Sequence, residues 1–328
     1  MPRRAVNLAL LIAVPLLVAT GLLAWVVPQP YAPPLLVAHR IGGVALILGL
    51  AWKYGIARRS LRRRVWRRDL SVISGTVGSI ALLLVLGLGL AWTIGFVSFD
   101  RPLAYSVLNV HVLVGVALVP LVVAHAAQRW ERRPALVDLA DRRTALRAVG
   151  LGAVAVVVTA ALDTIDRGRR FTGSRPAASH SGNDFPLTIW RFDDVPALDL
   201  ATWRLALSGL LSSPGELTYA ELAAMATTER DALIDCTGGW WSEQRWRGVT
   251  LADLLAARGV SPTARRLDVI SVTGHSASFA ISESPDLLFA THVGGEVLSP
   301  GHGYPLRLVA ADHRGFTWIK WVARVDVT

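Results

Sequence analysis

The chain is 328 residues long, which is enough for about two domains. Apolar residues make up 52% of it and charged residues 18%, whereas soluble domains are about 45–50% apolar and about 25% charged. A single cysteine excludes a disulfide scaffold, and the apolar content excludes a disordered chain. The net charge of +10 leaves nucleic-acid binding open until that charge is located along the chain.

The positive charge is confined to the N-terminal half. Residues 1–165 carry 18 basic and 6 acidic side chains, whereas residues 166–328 carry 16 basic and 18 acidic ones. The first half also contains five apolar runs long enough to span the hydrocarbon core of a bilayer. These runs are 6–27, 35–56, 73–97, 104–127 and 147–165. The sequence therefore predicts an all-α bundle of five transmembrane helices, followed by a near-neutral second domain.

Arginine alternates between the segments that connect these runs. The N-terminus and segments 57–69 and 128–147 hold 15 arginines, whereas the intervening loops 28–34 and 98–103 hold one. Positively charged loops stay on the cytoplasmic side of a membrane. We therefore predict a multi-pass protein of a bacterial cell membrane, with a cytoplasmic N-terminus and an extracytoplasmic C-terminal domain. Topology explains the charge, and no nucleic-acid partner is expected.

Two of the predicted helices carry histidines at matching depth. His39 and His111 lie about one and two turns into the second and fourth runs, which both lead from outside to inside. Two facing imidazoles are suited to be the axial ligands of a b-type haem, and Arg40 is placed to pair with a haem propionate. His125 follows His111 by 14 residues, about 21 Å along a helix. That spacing leaves open a second haem or an interfacial histidine, because the residue 14 positions after His39 is Lys53, a poor axial ligand when protonated.

This half resembles the four-helix membrane b-type cytochromes that exchange electrons with quinols. The resemblance rests on helix number and histidine placement, and it implies haem b and a partner in the quinone pool. We assign residues 1–130 to this cytochrome-like domain. Residues 131–182 are predicted to form a cytoplasmic loop, the fifth helix over 147–165 and a linker over 166–182.

Short apolar runs alternate with turn signals in the remaining 183–328, which predicts a mixed α/β domain. Helices are expected over Tyr219–Met225 and Leu251–Arg258. The expected strands are Thr202–Gly209, Asp231–Cys236, Leu267–Val272, Ser278–Ile281, Leu306–Val309 and Trp318–Val327.

The only cysteine, Cys236, ends the apolar strand Ala-Leu-Ile-Asp-Cys and precedes two glycines. A lone cysteine is most simply a small buried apolar residue. Its surroundings favour a second interpretation, because a soft thiolate suits a redox-active heavy metal. A pocket beside it is expected to be lined by Trp240, Trp241 and Trp246.

The stretch from Asn183 to Val327 resembles the catalytic domain of the sulfite oxidase family, and is closest in type to the periplasmic methionine-sulfoxide reductase catalytic subunit. The matching motifs keep their order over about 145 residues. They are Gly182-Asn183-Asp184-Phe185-Pro186, Trp203-Arg204-Leu205, Cys236 with Trp246-x-Gly248-Val249, Gly294-Gly295-Glu296, His302-Gly303-x-Pro305-x-Arg307, and Gly315-Phe316-x-x-Ile319-Lys320-Trp321.

The resemblance implies a molybdenum–molybdopterin cofactor, with Cys236 as the thiolate ligand of molybdenum. From its place among the tryptophans that follow Cys236, Trp241 is expected in the catalytic pocket. His302 stands where the methionine-sulfoxide reductases often have asparagine. The positions that match cofactor contacts in the family are Asn183, Pro186, Leu187, Thr273, His302, Arg307, Trp318, Ile319 and Lys320.

Together these features predict a membrane-bound oxidoreductase acting on a small oxide substrate, as a sulfoxide reductase or a sulfite-oxidase-like enzyme. The alternative is a non-enzymatic membrane anchor carrying a degenerate, cofactor-free binding domain. Arg142 and Arg143, just before the fifth apolar run, resemble a twin-arginine signal. They imply the twin-arginine translocase as a partner, or serve as ordinary cytoplasmic charges.

Overall fold

The structure is a computed structural model and describes residues 3–27, 31–66, 70–97, 106–128, 142–165, 168–189 and 194–328. Two compact units divide the chain between Gly173 and Ser174. The predicted loop 98–103 and the predicted cytoplasmic loop, as far as residue 141, lie outside the described residues.

The N-terminal unit contains five long helices within its described ranges. They are α1 (Arg3–Val26), α2 (Ala32–Trp66), α3 (Leu70–Thr93), α4 (Val107–Gln128) and α5 (Arg142–Asp163). Each is long and apolar enough to cross a membrane, as the sequence predicted. Large apolar side chains such as Ile12, Leu83 and Leu113 are exposed on their outer faces. Water would not solvate such a surface well, so these helices suit a lipid environment.

The C-terminal unit is built around two sheets. Its strands within the described residues are β1 (Arg175–Pro176), β2 (Leu205–Gly209), β3 (Gly215–Leu217), β4 (Thr228–Asp235), β5 (Trp240–Thr250), β6 (Arg266–Ser271), β7 (Ser276–Ala280), β8 (Leu287–Val293), β9 (Glu296–Val297), β10 (Arg307–Ala310) and β11 (Val322–Val327). Six of them form a sheet in the order β1-β5-β8-β10, in which β4 also pairs with β5 and β9 with β8. The other five form a sheet in the order β3-β2-β11-β6-β7. Two short helices join them, α6 (Tyr219–Met225) and α7 (Leu251–Ala256).

The linker prediction is wrong over its second part. Arg175 donates its N–H to the carbonyl of Gly239, and Ala177 donates to that of Trp241, so β1 adds in parallel to β5. The main-chain groups of this segment are paired with β5, so its small and polar residues belong to the sheet and not to a linker. The C-terminal unit begins at Ser174.

One glycine fixes the pairing of the long strand β5 with β8. The register shifts between Arg247 and Gly248, and a Cβ built on Gly248 would lie 1.9 Å from the carbonyl oxygen of Phe289. Only glycine allows this approach of the two backbones. The bulge lies in the same strand that starts next to Cys236.

Candidate functional site

Cys236 occupies the tight turn between β4 and β5. Its N–H donates to the carbonyl of Trp240 at 2.8 Å, and Gly239 donates back to its carbonyl at 3.0 Å. The N–H of Gly238 points at the sulfur, 3.3 Å away. Gly239 has φ of 92°, a conformation that favours glycine. The turn therefore holds a buried thiol in a position fixed by the main chain.

Thr188 lies against this sulfur. Its hydroxyl oxygen is 3.6 Å from Sγ of Cys236 and accepts a hydrogen bond from Trp240 Nε1 at 3.1 Å. Its carbonyl accepts from Nζ of Lys320 at 2.9 Å, and Lys320 also donates to the carbonyl of Gly301 at 2.9 Å. Lys320 therefore ties together the segments that carry Thr188 and Gly301.

Arg307, the first residue of β10, is enclosed by aromatic rings. Its guanidinium carbon lies 5.7, 5.3 and 5.9 Å from the ring centres of Phe185, Trp246 and Trp318. Its Nη1 donates to the carbonyl of His302 at 2.9 Å. The side chain is only 2% exposed, so a positive charge is held inside an aromatic cage.

Burial lowers the pKa of Arg307 to about 10, and the nearby Cys236 acts in the opposite direction. Arg307 is therefore still a cation at neutral pH. Its Nε, like Nε1 of Trp241, is buried and has no hydrogen-bond partner among the described residues. Buried polar groups are nearly always hydrogen-bonded. A buried cation with an unsatisfied N–H, beside a thiol, fits an anionic cofactor rich in hydrogen-bond acceptors.

Both ring nitrogens of His302 are taken up by the protein. Nδ1 lies 2.7 Å from the hydroxyl of Ser299, and Nε2 lies 2.9 Å from the carbonyl of Phe185. Burial, followed by repulsion from Arg307, lowers the pKa of His302 to about 4. His302 is thus a neutral imidazole that positions the backbone of Phe185.

Asn183 is held in a similar way. Its amide donates to Glu296 and to the carbonyl of Val297, both at 2.9 Å, and its oxygen accepts from the N–H of Ser299 at 2.8 Å. The side chain therefore fastens the 183–188 segment to the turn after β9.

The other predicted contact residues differ in how they join this cluster. Trp318 packs on Trp246 at 5.7 Å between ring centres, and Leu187 lies beside Gly301. Ile319 accepts a main-chain hydrogen bond from Leu308. Thr273 bonds only within its own turn, to Ser271, among the contacts of the described residues. Pro186 is a half-buried member of the 183–188 segment.

A buried ion pair, which was not predicted from the sequence, supports the cysteine turn. Arg314 donates to the carboxylate of Asp235 at 2.6 Å and approaches the carbonyl of Cys236 at 3.5 Å. Ser174 donates to the same carboxylate at 2.6 Å. The side chains of Asp235 and Arg314 are 0% and 4% exposed. The available signal was an aspartate directly after the apolar run Ala232-Leu233-Ile234.

We expect Arg314→Met to destabilise the C-terminal domain by about 3–5 kcal/mol, because it leaves the Asp235 carboxylate buried without its cation. The matched control is Arg245→Met, which breaks the exposed pair with Asp231 and should cost about 0–1 kcal/mol. Denaturant unfolding of the full chain, followed by tryptophan fluorescence, measures both values. Equal losses in the two variants would contradict the structural role given to the buried pair.

The low pKa of His302 in the folded chain leads us to expect that the stability of the domain depends on pH. Its pKa is about 4 in the folded chain and about 6.5 when unfolded, so between these values the unfolded chain binds more protons. Stability should therefore fall as the pH is lowered from 7, by about 2 kcal/mol at pH 5 from this residue alone. His302→Gln should lose that part of the slope in urea titrations at pH 7 and pH 5. Parallel slopes in the two proteins would refute the assignment.

The helical unit places His39 of α2 and His111 of α4 together. Their ring centres are 6.0 Å apart. Nδ1 of His39 lies 2.9 Å from the carbonyl of Leu17, and Nδ1 of His111 lies 2.9 Å from that of Val85. Metal-binding histidines usually have their second nitrogen held in this way. Both Nε2 atoms are left as candidate ligands.

Open space lies beside two glycines close to these histidines. Gly43 and Gly115 come four residues after His39 and His111, and a Cβ on either would meet no atom within 4 Å. Two imidazoles that bind one metal from opposite sides have ring centres about 6 Å apart, since each metal–nitrogen bond is about 2 Å long and each ring centre lies about 1 Å beyond its nitrogen. His39 and His111 therefore fit the role of the two residues that would hold a haem.

Arg40, predicted to pair with a haem propionate, has a partner within the protein. It donates to the carboxylate of Asp163 at 2.9 Å, and Arg169 donates to the same oxygen at 2.9 Å. The end of α5 is thereby joined to α2. The Nε atom of Arg40 is buried and has no hydrogen-bond partner among the described residues.

Comparisons with known proteins bear on the C-terminal part. The family model described as oxidoreductase molybdopterin binding domain matches residues 192–328. An NADH nitrate reductase of Hordeum vulgare is 31% identical over 169 residues, which is 41% of this chain and 18% of that protein. One from Oryza sativa subsp. japonica is 28% identical, with the same coverage. The chain thus spans about a fifth of the length of these relatives.

Among solved structures, the crystal structure of the sulfane dehydrogenase SoxCD from Paracoccus pantotrophus is 28% identical. The match covers 40% of each chain, with a TM-score of 0.39. The family match supports the predicted molybdopterin cofactor for this part of the chain, and it does not extend over the helical half. Residues 192–328 are thus similar to an oxidoreductase molybdopterin-binding domain.

Proposed function

We propose that the chain is a membrane-bound molybdopterin-dependent enzyme that transfers an oxygen atom to or from a small sulfur or nitrogen oxide. Its electrons pass to or from the quinone pool through haem b, held by His39 and His111. The catalytic domain stands on the extracytoplasmic face. The observation that carries the proposal is the fixed Cys236 thiol next to the buried, incompletely bonded Arg307.

Bound molybdopterin supplies a molybdenum centre that changes oxidation state as oxygen is transferred. The chain supplies the surroundings. Cys236 is the thiolate ligand, and Arg307 offers a buried charge and an unused N–H to the anionic pterin. Lys320 and His302 hold the segments around Thr188 and Phe185 in place.

The names of the relatives and the surroundings of Cys236 both bear on the substrate class. The matching relatives are named nitrate reductases, which supports a nitrogen oxide, and the family resemblance supports a sulfur oxide. Oxidation of sulfite needs cations around an oxyanion, but Arg245 pairs with Asp231 on an exposed face of the domain. The tryptophan-rich surroundings of Cys236 suit a less polar substrate, which favours reduction of a sulfoxide.

An anaerobic substrate panel tests this proposal. Sulfite, free and peptidyl methionine sulfoxide, dimethyl sulfoxide, an N-oxide and nitrate are each supplied to the full chain with a dye of suitable potential. We expect turnover of at least one, and reduction rather than oxidation. A well-folded chain that contains no molybdenum and converts none of them would instead support a cofactor-free binding protein.

A further inference from the structure

The four helices α1–α4 are organised in three levels, spaced by seven residues along each helix, about 10 Å. Helix pairs run antiparallel: Gly21 faces His39 in one, and Gly89 faces His111 in the other. The outer level consists of Gly21, His39, Gly89 and His111. The middle level consists of Val14, Leu46, Leu82 and Leu118, which belong to one apolar core cluster. The inner level consists of Asn7, Lys53, Gly75 and His125.

The inner level repeats the outer one in layout but not in chemistry. Gly75 faces the His125 ring as Gly89 faces that of His111, with a built Cβ 2.9 Å from the imidazole. Lys53 takes the place that corresponds to His39, and it lies close enough to His125 for the two groups to interact electrostatically. An apolar layer therefore separates two polar levels of the bundle.

His125 lacks the features that suit His39 and His111 to an axial metal. Its Nδ1 is buried and has no hydrogen-bond partner among the described residues, so no carbonyl orients the ring. Gly49, four residues before Lys53 on α2, is closed by Leu10, with a built Cβ only 3.2 Å from that side chain. The inner level is therefore suited to a hydrogen-bonding ligand smaller than a haem.

Lysine at this level is notable in a chain with 32 arginines and two lysines. Arginine keeps its proton in proteins, whereas a partly buried lysine can release one. The other lysine, Lys320, ties together the segments of the molybdopterin domain. Lys53 and His125 are thus two groups that can exchange protons, and they lie next to the apolar middle level.

We propose that this inner level binds the head group of a quinone or quinol, with His125 and Lys53 bonding to its ring oxygens. Such a ligand has an apolar tail that partitions into lipid and two oxygens that accept hydrogen bonds or carry protons. Oxidation of the quinol breaks two O–H bonds and releases two electrons and two protons. One proton would pass to His125 and one to Lys53 in its neutral form, and both would go on to the cytoplasmic side. The two electrons would go one at a time to the haem on which the proposed function relies, and from there to the oxide substrate.

Binding of the short-chain naphthoquinone menadione to the detergent-solubilised full chain tests this site. His125→Ala and Lys53→Met should each weaken binding at least about tenfold, because each removes a hydrogen bond in an apolar site. The control is Ser79→Ala on α3, whose hydroxyl bonds to its own helix at Gly75. It should bind menadione like the parent chain.

A further variant separates binding from proton transfer. Lys53→Arg keeps the charge but cannot release a proton, so menadione binding should persist while haem reduction by menadiol slows at least about tenfold. Haem content should stay unchanged in all four variants.

Two results would overturn the proposal. One is menadione binding that is unaffected in both His125→Ala and Lys53→Met. The other is a haem content that falls by half in His125→Ala, which would assign the inner level to a second haem. A chain without any haem would instead refute that part of the proposed function, and menadione binding would still be measurable on its own.

Discussion

Cys236→Ser is expected to yield a folded chain with less than about a tenth of the parental molybdenum and no measurable turnover. A serine hydroxyl fits the same turn, but it is a hard, protonated oxygen where a soft thiolate ligand is needed. Removing even an outer partner of a metal ligand typically costs about 10- to 100-fold in metal affinity or activity. Loss of the ligand itself should exceed that range. Metal analysis and dye-linked turnover of the purified chain give both quantities.

The graded control for this variant is Thr188→Val. The Thr188 hydroxyl lies 3.6 Å from Sγ and bonds to Trp240, so it acts through the cysteine turn. We expect an effect no larger than about tenfold on turnover, with molybdenum retained. Molybdenum at parental level in Cys236→Ser would show that the thiol is not the ligand.

His111→Ala is expected to abolish the b-type difference spectrum, with about nine-tenths or more of the haem lost. His111 and His39 face each other, and each is oriented by a carbonyl, so neither has a substitute at that level among the described residues. His39→Ala should behave alike. Molybdenum should be unchanged in both, because Cys236 belongs to the other unit.

Thr20→Val is the matched control for the histidine variants. The Thr20 hydroxyl lies 3.3 Å from Nδ1 of His39, which already bonds to the carbonyl of Leu17. Haem content should therefore persist in Thr20→Val. A b-type spectrum that survives in both His39→Ala and His111→Ala would remove this pair as the ligands.

The helices were predictable because their signals are local. Five apolar runs gave five helices, and α6 over Tyr219–Met225 has the predicted bounds, with a capping box between Thr218 and Glu221. Strand β5 was missed because its inward positions include Ser242 and Gln244, which are buried but polar. Such residues break the apolar alternation on which strand prediction depends.

Strand β8 was missed for the opposite reason. Its residues, Leu287–Val293, are mostly buried on both faces and show no alternation. The strand predicted over Trp318–Val327 begins only at Val322, because Trp321 has φ of 52° and turns the chain. That left-handed residue has no signal in the sequence.

At the candidate site, the motifs predicted which segments meet but not what each side chain does. Asn183, His302 and Lys320 were expected to contact the cofactor, yet their polar atoms bond largely to protein groups. Those partners lie far away in sequence, as does the Asp235–Arg314 pair. Only the fold brings them together, so local spacing carried no information about them.

The most direct test of the account follows the haem spectrum of the full chain when substrate is added without oxygen. We predict that haem reduced beforehand with dithionite, after excess reductant is removed, is reoxidised by methionine sulfoxide or another oxide of the panel. The reoxidation should be absent in Cys236→Ser. A chain that contains both molybdenum and haem, turns over substrate with a dye and still leaves its haem unchanged would contradict electron transfer between the two sites.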